Sequence, residues 1–391
     1  MDFQNLNYLN DFVNMLSGSF LPVTNKKTKL PELLKMYVII VWLIEVTYLI
    51  ACILGLFNVP KERVLKDGTV NIVVSLEVIV LMIYLHNRKK LLREIIGKLN
   101  RILTIDDEVL KQVTINTVKP LQKPLKIYTI TNVSSVIIWT SLSFVEVFRK
   151  NEFNYTDYQV PAVISKEPFP IGVFIGGVLL QIFGSAYTII RKVSLDLYTM
   201  HLILLMTAQY KYVRIKLVTI LRQERDTIMN LDSDITCYVE QELRLLTRHY
   251  ETVVDLAVML RKLLSPNIGI LYVEYVFLFC FLSFMFVTTS TMYLEKYIIT
   301  LYIIGALVQF YVLCLCIEEL LEASTSVADD VMHERWYIHN IHLQHAMAMI
   351  ISFNKLECKL SSVRKINLNL SSFMSVLNQA YSVSLLFLKA N

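Results

Sequence analysis

The chain has 391 residues, of which 55% are hydrophobic and 18% charged; a water-soluble domain carries about a quarter charged residues, so this composition excludes an ordinary soluble fold and asks for lipid as solvent. The formal charge of +5 comes without a basic run interleaved with aromatics, which excludes a nucleic-acid footprint. Only 10 Gly and 9 Pro argue against a transporter, whose membrane helices are broken by those residues around a midplane site.

Residues 1–36 open on an acid and scatter polar residues where a signal peptide needs an apolar run. They read as a cytoplasmic lead-in, amphipathic or irregular. Seven stretches then approach the roughly 20 apolar residues that cross a hydrocarbon core: 37–57, 70–86, 127–148, 171–190, 271–293, 298–320 and 367–388. The second is short and polar at its ends. The fourth continues into RKVSLDLYTMHLILLMTAQY, which predicts a helix that runs on out of the membrane. The fifth and sixth are separated only by Leu294-Glu295-Lys296-Tyr297, a tight helical hairpin. Only Lys389-Ala390-Asn391 follow the seventh.

Lys and Arg concentrate in 1–36, in 87–125 with its cluster NRKKLLR, in 206–270 and in 321–366. Cytoplasmic flanks hold the positive charge, so the amino terminus is expected inside and, after an odd number of spans, the carboxyl terminus outside. The sequon Asn154-Tyr155-Thr156 then falls in an outer loop, where Asn154 is open to glycosylation. The inner segments are helical. Leu243, Leu246, Tyr250, Val253, Leu256, Met259 and Leu263 recur at helical spacing, and Pro266 is expected to end that helix just before the fifth span. Residues 318–353 continue the sixth span as another amphipathic helix. The expected fold is an all-α membrane protein: a cytoplasmic segment 1–36, a six-span bundle 37–320, intracellular anchor helices 321–366 and a last helix 367–391.

Cys52, Cys280, Cys314 and Cys316 lie in apolar runs and Cys237 and Cys358 in charged ones, a spacing that suggests neither a disulfide framework nor a zinc site. His339, His342 and His345 recur every third residue, and a solvated or intersubunit face explains them better than a metal. No cofactor or metal is expected. There is no nucleophile–base set, no Gly-rich phosphate loop and no pair of catalytic carboxylates, so an enzyme is not expected. Glu45 and Glu77 fall inside the first and second spans, where a charge needs a cavity or a partner. Two readings stay open for Glu77: contact with a ligand pocket, or a structural role, protonated or paired with a hydroxyl such as Ser75 or Thr140.

The stretch EELLEASTSVADDVMHERWYIHN, then MAMIISFNK, then LNLSSFMSVLNQAYSVSLLFL resembles the carboxyl-terminal third of the insect odorant receptors. The acidic exit from span six, the Trp336-Tyr337 pair, the Ser-Phe-Asn-Lys helix end, Phe373, Val376-Leu377 and Tyr381-Ser382 carry the likeness. Length, seven spans and an inner amino terminus fit the family along the chain. The resemblance implies a ligand-gated, non-selective cation channel of four subunits, in which a co-receptor supplies some and a ligand-specific subunit the rest. The co-receptor is longer, with an insertion after span four, so this chain looks like the ligand-specific subunit of a plasma-membrane heterotetramer. It implies an intracellular anchor that includes Trp336 and Tyr337, and a pore lined by the last helix, whose final turns reach the outer mouth.

Helical spacing offers two faces for that pore: Tyr381, Ser384/Leu385, Leu388, or Asn378, Ser382, Leu386, Lys389. The second is preferred, because the resemblance places the family's aliphatic gate at Leu386, where meeting apolar side chains would dewet the pore. The alternative has Leu386 facing lipid and Lys389 snorkelling. The resemblance also implies a small volatile ligand held in the outer half of spans two to six. Candidate lining residues are Val74 and Val78 from span two, and Ile137, Thr140, Ser141 and Phe144 from span three. Phe174, Val178 and Gln181 follow from span four, and Met285, Thr288, Thr289 and Tyr302 from spans five and six. Two competing readings remain. A gustatory-type channel shares the architecture. A receptor coupled to G proteins needs the opposite orientation, and the acidic-Arg-Tyr and Asn-Pro-x-x-Tyr signatures of that class are missing here.

Overall fold

The computed structural model describes residues 1–24, 31–60, 64, 68–230, 233–289, 293–333, 341–354 and 368–390. Eleven helices are described: α1 (Tyr8–Leu16), α2 (Glu32–Asn58), α3 (Thr69–Asn87), α4 (Lys89–Leu103), α5 (Glu108–Ser141), α6 (Phe144–Val147), α7 (Ile171–Asn230), α8 (Ser233–Thr288), α9 (Tyr293–His333), α10 (Ile341–Asn354) and α11 (Leu370–Ala390). The only strands among the described residues are β1 (Glu152–Phe153) and β2 (Phe169–Pro170), an antiparallel pair in the 148–170 loop. The fold is an all-α membrane protein.

Six helices are long and apolar enough to cross a bilayer by length and composition: α2, α3, α5 extended by α6, α7, α8 and α9. The terminal α11, with 21 residues, is about 30 Å long, enough to span as a seventh. Helix α7 has 60 residues and α8 has 56. At 1.5 Å per residue they reach roughly 80–90 Å, against a hydrocarbon core of about 30 Å, so both project far from the membrane on one side. Helix α7 is the axis of the fold and packs against α1, α2, α3, α5, α8 and α9.

Three boundaries differ from expectation. Pro266 lies inside α8 rather than ending a helix. Proline removes one backbone hydrogen bond and crowds the preceding turn, but the fully packed Leu263, Leu264 and Ile268 on either side hold the helix on its path. Span three is likewise the end of a longer helix, α5, which runs through Pro120 and Pro124. Its start is set by Asp107, whose Oδ1 accepts from the N–H groups of Val109 at 2.8 Å and Leu110 at 3.2 Å. Helix α8 ends at Thr288 and α9 begins at Tyr293, so Leu294–Tyr297, expected to separate the two, belong to α9.

The lead-in folds onto the bundle. Asn7 caps α1 by accepting from the N–H of Asn10. Phe3 is fully buried, edge-on to the rings of Tyr198 and His201. Helix α9 is continuous from the sixth span to His333, so among the described residues no break separates that span from the start of the segment expected to form the anchor.

Candidate functional site

Near one end of the bundle the helices leave a cavity of about 90 Å³ between α2, α3, α5, α7, α8 and α9. Its apolar wall includes Val74, Trp139, Ile189, Leu282, Met285, Ile298 and Ile299. Its polar groups are Tyr48, Asn71, Ser135, Thr140, Ser185, Thr188 and Tyr302. Ser135, Thr140, Ser185 and Thr188 all donate to carbonyls of their own helices, at 2.6, 3.0, 2.6 and 2.9 Å. Their hydrogens are therefore engaged, and the oxygen lone pairs are what they offer a guest. The Asn71 amide donates to the Cys52 thiol at 3.6 Å. No charged side chain lines the cavity. Such a surface suits a small neutral molecule bound by apolar burial.

The 148–170 loop closes that end of the bundle. Phe153, Tyr158, Phe169 and Phe174 stack on one another, Phe153 and Phe174 at 4.1 Å between centroids. The loop also reaches α2, where the N–H of Val163 donates to the carbonyl of Ala51 at 3.0 Å. A Cβ on Gly55 would overlap the Pro161 carbonyl, so only glycine allows that approach. Val160 of this loop lines the cavity, and its carbonyl accepts from Gln181 Nε2 at 2.7 Å.

The structure thus brings four expected residues, Val74, Thr140, Met285 and Tyr302, around one cavity and sends the others elsewhere. Phe174 and Val178 belong to the aromatic cap, and Phe144 packs against it. Phe144 is parted from Thr140 because α5 stops at Ser141 and α6 begins at Phe144. Gln181 supports the wall through Val160. Val78 is buried in the main core. Ser141 donates to the carbonyl of Ile137 at 2.7 Å, both outside the cavity. Thr288 is exposed at the end of α8, and Thr289 is buried in the turn beyond. Asn154 is exposed in the 148–170 loop, its side chain accepting from the backbone of Asp157.

One to two turns below the cavity the same helices carry ions. Lys192 of α7 is buried and pairs with Glu77 of α3 and, at 3.2 Å, with Glu274 of α8. Its ammonium also lies 5.5 Å from the Tyr275 ring centroid. Asp196, one turn further on, accepts from Tyr128 at 2.7 Å and from Gln309. Next to this group Arg191 pairs with Glu45, donates to the carbonyl of Ser17 at 3.3 Å, and sits 4.4 Å over the Trp42 ring. The partner of Glu77 is therefore a lysine, not Ser75 or Thr140, and Glu77 does not line the cavity.

Helix α11 packs against α8 and α9 with Val376, Ala380 and Ser384. Phe373 meets Phe310 at 5.3 Å and Phe387 meets Phe281 at 5.8 Å. The opposite side, with Asn378, Ser382, Leu386 and Lys389, is exposed on the subunit, Leu386 by 67%. On the alternative face Ser384 is 3% exposed, while Tyr381 and Leu385 are exposed. Trp336, Tyr337, His339 and Cys358 lie outside the described residues, as do the side chains of Cys237, His342 and Leu388.

A family description, 7tm Odorant receptor, matches residues 67–381. The chain belongs to the odorant receptor family. The receptor is a multi-pass membrane protein of a family of receptors rather than of enzymes. Among solved structures it is similar to the insect olfactory receptor OR5 from Machilis hrabei in complex with eugenol. That match has a TM-score of 0.81 at 14% identity, covering 100% of this chain and 99% of the other. A second OR5 structure gives 0.78 at 13% identity, covering 98% and 97%. At these identities the likeness is one of fold. A sequence search of curated proteins gives no match.

Sequence reasoning missed the receptor's ionic layer, although its signal was in view. Arg191, Lys192, Asp196 and Glu274 are ions within or beside apolar runs on neighbouring helices, and charges at that depth need one another.

Proposed function

We propose that this odorant receptor is the odorant-specific subunit of a heterotetrameric, ligand-gated, non-selective cation channel of the plasma membrane. A shared co-receptor supplies its partner subunits. The ligand is a small volatile organic molecule held in the cavity beside Val74, Thr140, Met285 and Tyr302, and the pore is lined by α11. The observation that carries this reading is the neutral, capped cavity in a bundle whose terminal helix leaves Asn378, Ser382, Leu386 and Lys389 unpacked. At about 90 Å³ the cavity is smaller than the ~150 Å³ that takes up a benzene ring, so a larger guest would repack the flexible Met285. Apolar fit would set affinity, and the hydroxyl oxygens of Ser135, Thr140, Ser185 and Thr188 would favour a guest with a donor.

In this reading the amino terminus is cytoplasmic, Trp336 and Tyr337 belong to the intersubunit anchor, Leu386 is the gate, and Asn154 faces the extracellular medium. The test is current recording against an odorant panel, with and without the co-receptor. Ligand-evoked cation current only in its presence is expected. Current from this chain alone would favour the gustatory-type alternative. A tag placed after Asn391 should be labelled on intact cells; labelling only after permeabilisation would overturn the topology and with it the pore.

A further inference from the structure

A second cavity, of about 240 Å³, lies at the other end of the bundle between α2, the last turns of α3 and the Gly18–Phe20 turn. Its walls are apolar: Val38, Trp42, Met82 and Ile83. It opens sideways, since Ile83 of its wall is exposed, as a lipid-facing residue is. Its far end is polar, formed by His86, Asn87 and Lys89.

The polar end is cationic and uncompensated. No Asp or Glu lines the groove, and Lys89 makes no ion pair among the described residues, unlike Lys98 and Lys111 in the same inner region. Lys89 is only partly exposed. Burial and the nearby Arg93 charge pull its ammonium below the ordinary lysine range, which is the mark of a cation without a counter-ion. Trp42, by contrast, is held in place from behind by the Arg191–Glu45 pair, which is already neutral.

We propose that this groove is a binding site for an anionic phospholipid, with the phosphate at Lys89 and an acyl chain along Trp42, Met82 and Ile83. An apolar trough ending in an unmatched cation at the level of the basic 87–93 segment fits a molecule with one anionic end and one hydrocarbon end. A free phosphate would satisfy the lysine and leave the trough empty. The proposal rests on the reading that places this end of the bundle at the cytoplasmic leaflet, where anionic lipids reside.

Trp42 is a built-in reporter. The chain holds 3 Trp, so the full-length receptor with Trp139→Phe and Trp336→Phe emits from Trp42 alone. It is reconstituted in phosphatidylcholine bilayers doped with acyl-brominated phosphatidylserine or, separately, acyl-brominated phosphatidylcholine. The serine lipid should quench at about fivefold lower mole fraction, the contribution of one lysine near an anionic surface. Lys89→Ala should erase that preference while leaving quenching by the choline lipid unchanged, and Lys89→Arg should keep it. Equal quenching by the two lipids, or an unaltered preference in Lys89→Ala, overturns the site. Loss of the preference on adding inorganic phosphate would show an anion site served from solution and overturn the lipid assignment. Odorant-evoked current is read separately on the receptor that keeps Trp139 and Trp336, so a functional channel without lipid preference would sink this groove alone.

Discussion

The cavity and the ionic layer beneath it are built from the same six helices, α2, α3, α5, α7, α8 and α9, yet share almost no chemistry. Around the cavity these helices present Val74, Ile189, Met285 and Tyr302, and no ion. One to three turns away they present Glu77, Lys192, Glu274 and Gln309. An apolar cavity tolerates a void because a dry hollow costs only lost packing. A charge tolerates none, since each ion left without its partner in a low-dielectric interior is expensive. The ionic layer therefore holds the helices in register, and the cavity above it is free to differ in size and shape. Under the proposed function, ligand selectivity is tuned where the receptor is loosely filled, and its framework is secured where it is not.

The sharpest way to break that division is Lys192→Met. It leaves Glu77 and Glu274 facing each other without a cation, and breaking a buried pair costs about 3–5 kcal/mol, a large part of the stability of most folds. Loss of surface expression and a lower midpoint of thermal unfolding in detergent are expected. Adding Glu77→Gln and Glu274→Gln should recover much of the loss, because the uncompensated charges go with them. Wild-type expression of Lys192→Met would mean that the layer does not hold the bundle.

Gly184→Ala probes the level of the cavity at a point where there is no void. A Cβ at Gly184 would overlap the Tyr48 ring, which is fixed among Ala51, Cys52 and Val160. Overpacking of this kind costs at its upper end about 3 kcal/mol, and Tyr48 would be driven toward the cavity, reducing the response to the bulkiest ligands first. A response to ligand size that does not change would separate Tyr48 from the binding wall.

Met285→Ala tests the opposite operation, enlargement. Stability should fall by about 2 kcal/mol, the low end for such a change, since part of the side chain meets space rather than atoms. Preference should shift toward ligands one or two carbons longer, by at least about tenfold in relative potency. Dose–response curves over a homologous series of alcohols measure it. A uniform loss of potency along the series would make Met285 a framework residue like Lys192.

The sequence carried the first half of this contrast better than the second. The long apolar runs, the continuation of span four into α7 and of span six into α9, and the isolation of Glu45 and Glu77 in lipid-like surroundings were all legible, because each depends on composition along the chain. Rotation was not. Helices α2 and α3 are apolar all round, and such a helix has no polar face to say which side turns inward. Glu77 was thus visible as an anomaly but its partner was not. Phe144 was misplaced for a different reason: it follows Thr140 by one helical turn only if the helix continues, and the break at Leu142-Ser143 is marked by neither Gly nor Pro. The aromatic cap of Phe153, Tyr158, Phe169 and Phe174 is formed by residues brought together across the loop, a pattern without a local period.

Leu386→Ala should have the smallest effect on stability and still change function. Leu386 is exposed by 67% and takes part in neither the cavity nor the ionic layer, so its truncation should shift stability by no more than about 0.5 kcal/mol. If the exposed stripe of α11 meets its counterparts in partner subunits, replacing the isobutyl group by a methyl widens and wets the constriction. Basal leak should rise, or the odorant concentration needed for half-maximal current should fall, at unchanged surface expression. A leak and a sensitivity that both stay at wild type would remove Leu386 from the gate and turn the stripe toward lipid. A stability loss as large as that of Met285→Ala would instead make it a packing surface, and the division between tuned and secured regions would have to be redrawn to include α11.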